Sequence, residues 1–135
     1  MTPTLTAFAG FAAWSLFLLV MMETIRVKLV LTGAVPANGF VPDNANLSPF
    51  MQRLARAHAN CVEGLPIFGG LMLVAVLSHR SAVTDPLAYV FLAARILQSL
   101  IHLISVSSTA VTLRFSAFAI QMAIAVYWAA RLLAS

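Results

Sequence analysis

The sequence predicts an all-α integral membrane protein built as a four-helix bundle, and three observations carry that expectation. The 135 residues are 61% hydrophobic and only 9% charged, with mean hydropathy +0.96, whereas a soluble domain is about a quarter charged. The apolar residues fall into four runs, each close to or longer than the roughly 20 residues that cross a bilayer. Turn and loop residues gather between the runs. A chain of this length makes one domain, and no internal repeat or low-complexity segment interrupts it.

The composition also excludes classes of function. The net charge of +4 is scattered, with no basic run, so the chain offers no nucleic-acid surface. Cys61 is the single cysteine, so no internal disulfide can form. No Cys/His cluster has metal-ligand spacing, and no metal site is expected.

The first helix is expected over about residues 5–31. Leu5 to Met22 is almost unbroken apolar sequence, long enough to span. No charged side chain stands in Met1–Thr4, so the run lacks the basic start of a signal peptide and reads as a retained helix. Glu23, Arg26 and Lys28 follow as boundary charges, with Glu23 spaced to pair with Arg26 at i+3 or, less well, with Lys28 at i+5.

A loop over about residues 33–48 comes next, carrying Pro36, Asn38, Gly39, Pro42, Asp43 and Asn44, all turn residues. Ser48-Pro49 is a helix start, serine as cap and proline in the first helical position. The second helix is expected over about 49–78. It exceeds a single span, so its first turns project from the membrane, with the bilayer edge near His58. Pro66 interrupts its backbone ladder, which a membrane helix tolerates when neighbours compensate. Gly64, Gly69 and Gly70 suit close helix contact.

The third helix is expected over about 86–106 and the fourth over about 113–134. The polar, β-branched stretch Ser105–Thr112 joins them. Tyr127, Trp128 and Arg131 near the far end read as an interfacial anchor. Four spans place both termini on one side. Arg26, Lys28, Arg53, Arg56 and Arg114 mark one face and Arg80 and Arg131 the other. By the positive-inside rule the 33–48 loop is cytoplasmic and the termini lie opposite. An inner or plasma membrane is the expected location.

Two polar stripes run through this apolar chain. Arg53, Arg56, Asn60 and Glu63 are spaced i, i+3, i+7, i+10 and share one face of the second helix. Arg95, Gln98 and His102 share one face of the third. Ionisable groups inside a bilayer are costly and mark a site by default. Arg95 would stand near mid-membrane, so an acidic partner is expected for it, Glu63 or Glu23. Arg56, Asn60, Glu63, His102 and Arg114 fall in the same half of the membrane and suit a small zwitterionic ligand such as a peptide. No Ser-His-Asp or Cys-His nucleophile arrangement is present. An ion-pair network holding the bundle together accounts for the same spacing, and the residues alone leave both readings open.

The run Arg53-Leu-Ala-Arg56-Ala-His58-Ala-Asn60-Cys61-Val-Glu63, followed by Pro66, resembles the signature of the MAPEG family, the membrane-associated proteins in eicosanoid and glutathione metabolism. Size, four spans, a polar first loop and an arginine opening the fourth helix agree with that family over essentially the whole chain. The resemblance is to a bacterial-type microsomal glutathione transferase. It implies a homotrimer that binds glutathione as co-substrate between neighbouring subunits near the cytoplasmic face. It implies conjugation or reduction of hydrophobic electrophiles drawn from the lipid bilayer. Arg56, Asn60 and Glu63 match the glutathione-binding positions, and Arg53 and His58 lie in the same motif. Arg95, Gln98 and His102 supply the third-helix side of that site. Arg114 matches the arginine that stabilises the glutathione thiolate, a catalytic role. The chain departs from the family pattern at Gln98, His102 and Phe118, where tyrosine or histidine is common, and at Gly64, where leukotriene synthase has tyrosine.

Two competing readings stand beside the enzyme. One is a non-catalytic membrane scaffold or accessory protein that retains the fold. The other is a small multidrug exporter, which would need a carboxylate near mid-membrane, and Glu23 lies close to the end of its helix. Cys61 reads as packing, since a free cysteine is commonly a small buried hydrophobe.

Overall fold

The computed structural model describes residues 1–134. It is a bundle of four helices long and apolar enough to cross a membrane, α1 (Pro3–Leu31), α2 (Pro49–Leu77), α3 (Asp85–Ile104) and α4 (Ser108–Leu133). No strand occurs among the described residues.

Helix α1 starts where Thr2 accepts a hydrogen bond from the Leu5 amide and Pro3 takes the first helical position. Its buried residues, Thr4, Ala7, Phe11, Ser15, Leu18 and Met22, recur every three or four positions and form one stripe. The other faces are also apolar and are left for lipid. The helix ends at Thr32, and Gly33 takes the left-handed conformation (φ 76°) that turns the chain into the loop.

The loop is held by Asn44. This residue is fully buried and left-handed (φ 56°), a conformation asparagine tolerates better than most residues. Its Oδ1 accepts from Nε and Nη2 of Arg26 on α1, and its Nδ2 donates to the Met51 carbonyl on α2, 2.8 Å away. Arg26 also donates to Glu23 Oε1 at 3.1 Å, the pairing its spacing suggested.

Helix α2 begins with the Ser48 hydroxyl accepting from the Met51 amide. It is not uniform. Residues Leu65–Gly69 form one π-helical turn, because Pro66 has no N–H to give to the ladder and the turn widens around it. Gly69 lets α1 approach there: a Cβ at this position would lie 2.4 Å from the Phe8 ring.

Helix α3 touches each of the other three. Asp85 at its start accepts from the Thr4 backbone amide at 3.0 Å and so ties it to α1. Helix α4 starts at Ser108, five residues before the position the sequence suggested, because Ser107 caps it by accepting from the Ala110 amide. The polar stretch before Arg114 is therefore mostly helical, and Arg114 stands in the second turn rather than at the helix start. At the other end, the Arg80 guanidinium donates to the carbonyls of Arg131, Leu132 and Ala134.

Phe91 on α3 centres the packing. Its ring lies 4.9 Å from Phe68, 5.4 Å from Trp128 and 6.1 Å from Phe11. Trp128 is fully buried, so it is a core residue and not the interfacial anchor expected of it. It faces Phe91, while Tyr127 and Arg131 remain exposed and hydrogen-bonded to each other. Inside a bilayer apolar burial does not by itself favour helix association, and close packing and interhelical hydrogen bonds do that work. The aromatic cluster and the polar groups behind it meet that requirement.

Candidate functional site

The site begins with α2. Arg56 and Glu63 lie on its exposed side, and Asn60 is half-buried between them. Neither Arg56 nor Glu63 has an ion-pair partner among the described residues; the pair formed there is Glu23 with Arg26. Asn60 and Glu63 open onto a recess of about 200 Å³ completed by Gly64, Ile67, Phe68 and Phe118. The π-helical turn forms its floor, since Ile67 and Phe68 belong to that turn. Such turns are frequent where a helix carries function.

Arg95 stands behind this surface. It is fully buried, and it pairs with no acid. Nη1 donates to Asn60 Oδ1 at 2.6 Å. The guanidinium faces three aromatic rings, Phe11 at 5.1 Å, Phe68 at 5.7 Å and Phe118 at 5.8 Å. The expected carboxylate partner, Glu63 or Glu23, is thus replaced by an amide oxygen and aromatic faces, which attract a desolvated cation through their quadrupoles. Nε and Nη2 of Arg95 have no hydrogen-bond partner. Because its own chain covers Arg95, the residue requires no neighbouring subunit to bury it.

Gln98 lies one turn further along α3 and donates to the same Asn60 oxygen at 3.2 Å. Its Oε1 accepts from Gln121 of α4 at 2.8 Å, and Gln121 also donates to the Ala117 carbonyl at 3.1 Å. Gln121 was missed in the sequence. The available signal was a polar residue alone in an apolar run, which in a membrane needs an interhelical partner.

His102, buried at the end of the same stripe, lies in the electrostatic field of Arg114, Arg56 and Arg53. Its Nε2 has no partner. Arg114 is half-buried, and Phe118, on the same face of α4 one turn later, lines the recess. Two helices, α2 and α4, therefore bring cations to one end of the bundle, beside His102 of α3.

Two motif residues fall elsewhere. Arg53 donates from Nε to the Leu103 carbonyl at 2.9 Å, one of the unmatched carbonyls at the end of α3, so part of its guanidinium serves that helix end. His58 lies on the opposite side of α2 from the Arg53–Glu63 stripe, near Glu23 and Arg26 of α1. The structure does not bring it to Asn60 and Glu63. Cys61 is fully buried, 3.4 Å from the Ser99 hydroxyl. No group of three or more metal-ligating side chains occurs among the described residues.

Four membrane-length helices, a π-turned second helix bearing Arg56, Asn60 and Glu63, and an arginine early in the fourth define an integral membrane bundle with a polar site at one end. The sequence model of the MAPEG family matches residues 4–134, nearly the whole chain, and the protein belongs to that family. No curated protein and no solved structure matches the chain.

Proposed function

We propose that the protein is a membrane-bound glutathione transferase or peroxidase-like enzyme, conjugating or reducing hydrophobic electrophiles with glutathione. The observation that carries this reading is the set Arg56, Asn60, Glu63 on the open side of α2 without ion-pair partners for its charges. A structural network would satisfy those charges within the chain. A ligand with carboxylates, peptide groups and one ammonium supplies what they lack. A carboxylate inside the membrane without such a partner is costly, and Glu63 lies past the bilayer edge expected near His58.

In this reading Arg56 holds a carboxylate of glutathione, Glu63 receives its ammonium, and Asn60 meets its peptide backbone. Arg114 holds the sulfur as thiolate. His102, buried at the same end of the bundle with its Nε2 unpartnered, adds a hydrogen-bonding group. Arg95 and Gln98 act behind Asn60 and do not meet the ligand. The apolar electrophile arrives from the lipid, past Ile67, Phe68 and Phe118. The chain works as a homotrimer in an inner or plasma membrane, with neighbouring subunits closing the open side and the site facing the cytoplasm. Against the exporter reading, Glu23 lies near the end of α1 and pairs with Arg26.

Isothermal calorimetry with glutathione tests the proposal. Arg56→Ala and Glu63→Gln should each weaken binding by at least about tenfold, since removing one partner of a desolvated charge contact costs that much or more. Unchanged affinity in both variants, or no binding to the wild type, would show that the stripe serves the bundle.

A further inference from the structure

The hydrogen bonds behind Asn60 have a direction, and that direction fixes what Asn60 can say to a ligand. Amide oxygen and nitrogen are exchangeable in principle and must be assigned from their partners. Here both ends of the chain of bonds are groups that cannot reverse. Arg95 is donor only, so the atom of Asn60 that it meets at 2.6 Å is the oxygen. The Ala117 carbonyl is acceptor only, so the atom of Gln121 that it meets is the nitrogen. Between them, Gln121 donates to Gln98, and Gln98 donates to Asn60. Every amide in the relay is then determined.

Asn60 Oδ1 thus takes two hydrogen bonds from inside the bundle. Its Nδ2 makes no hydrogen bond among the described residues, and Asn60 lines the recess with Glu63, Gly64 and Phe118. Arg95, Gln98 and Gln121 are each less than a tenth exposed.

We infer that Arg95, Gln98 and Gln121 are positioning residues that make Asn60 a hydrogen-bond donor to the ligand, so that this position recognises a carbonyl or carboxylate oxygen. The inference rests on the glutathione reading for its ligand but not for the relay. Glu63 is an acceptor and Asn60 a donor one turn apart on the same helix face. The pair therefore reads an ammonium and a carbonyl in a set order, which a γ-linked peptide amino acid presents.

Two isosteric acid substitutions separate this from a merely structural network. Asn60→Asp keeps an oxygen toward Arg95 and Gln98 but replaces the outward donor with an acceptor. Gln121→Glu, neutral when buried, leaves one O–H donor for two acceptors, the Ala117 carbonyl and Gln98 Oε1. The relay requires opposite results: Asn60→Asp keeps the thermal midpoint of the purified protein in detergent, and Gln121→Glu lowers it. Equal shifts, or the reverse order, overturn the relay, and this measurement needs no ligand. In calorimetry, Asn60→Asp should weaken glutathione binding by at least about tenfold despite its intact fold, with an acceptor now facing an acceptor. A panel of glutathione analogues, each lacking one carbonyl or carboxylate oxygen, should include one that wild type binds at least about tenfold more weakly than glutathione and that Asn60→Asp does not disfavour. If Asn60→Asp binds glutathione as wild type does, Asn60 gives no donor to the ligand and the inference fails. If wild type binds no glutathione, the functional proposal fails, and the thermal comparison alone decides the relay.

Discussion

Gly64 lies against the guanidinium of Arg95: a Cβ at position 64 would stand 3.1 Å from Arg95 Nη2 and 3.1 Å from the ring of Phe68. The contact accounts for glycine following the motif glutamate. A tyrosine there, as in leukotriene synthase, has no room while Arg95 occupies its aromatic cage.

The first prediction follows from that contact. Alanine is favoured over glycine inside a helix by about 1 kcal/mol. At Gly70, where an added Cβ meets nothing within 4 Å, Gly70→Ala should raise the thermal midpoint. At Gly64 the neighbours are pinned, Arg95 by Asn60 and Phe68 by Phe91. Overpacking costs about 1–3 kcal/mol, which exceeds the helix gain, so Gly64→Ala should lower the midpoint. Thermal scans of the two variants in one detergent check this, and shifts of the same sign would contradict it.

The second prediction concerns the loop. Asn44→Ala removes the acceptor from Arg26 and the donor to the Met51 carbonyl, which is left with its bond inside α2 alone. It also puts alanine in a left-handed conformation. The lost hydrogen bonds cost about 0.5–1.5 kcal/mol each and the backbone conformation about 1–2 kcal/mol. The variant should lose about 2–4 kcal/mol of stability and become sensitive to proteolysis between residues 33 and 48. Asn44→Asp keeps the contact with Arg26 and should fall between. A loop as resistant as wild type in Asn44→Ala would show that Asn44 is not its latch.

The spans were legible in the sequence because bilayer thickness imposes a length that apolar runs either meet or miss. The stripe Arg53–Glu63 was legible because helical periodicity places residues on faces. Periodicity does not say which helix a face meets. Arg95 was assigned a carboxylate because a buried cation needs compensation. The chain compensates it instead with Phe11, Phe68, Phe118 and the Asn60 oxygen, aromatic residues that read as ordinary core. His58 sits in the motif by position but on the wrong face by angle. Trp128 has the composition of an anchor and the orientation of a core residue. The start of α4 was obscured because Val106 to Thr112 is β-branched and polar, and the Ser107 cap outweighs those weak local preferences.

The third prediction is the assembly. Arg95 no longer argues for it, being covered within its own chain. Arg56 and Glu63 do, because both remain exposed without an ion-pair partner among the described residues. Neighbouring subunits that close over α2 would shield them together with the bound ligand. Multi-angle light scattering in mild detergent, with detergent mass subtracted, should give three chains per particle. A monodisperse single chain would remove the neighbour from the proposed site.

The fourth prediction concerns the chemistry of Arg114. A free thiol has a pKa of about 8.5 and is mostly unreactive at neutral pH, and a neighbouring arginine lowers that value. Two unit charges about 4 Å apart at an effective dielectric of about 20 interact by roughly 4 kcal/mol. One pKa unit corresponds to about 1.4 kcal/mol, so a drop of one to three units is within reach once desolvation has taken its share. The guanidinium itself must supply this field. Arg114 lies in the second turn of α4, and the positive end of a helix dipole fades within the first turn. A lowered thiol pKa leaves the nucleophile present at neutral pH and removes it only as pH falls through the lowered value. Wild type should therefore show thiolate absorbance with glutathione at pH 7 and a rate with a reactive aryl halide that is nearly flat from there upward. In Arg114→Ala, at saturating glutathione, the absorbance should vanish at pH 7 and the rate should climb with pH toward about 8.5. Arg114→Lys keeps a charge and should retain part of the signal, which separates loss of charge from loss of fold. If Arg114→Ala keeps both the thiolate absorbance and the flat profile, the arginine marks the membrane boundary, and the sulfur is held by another group.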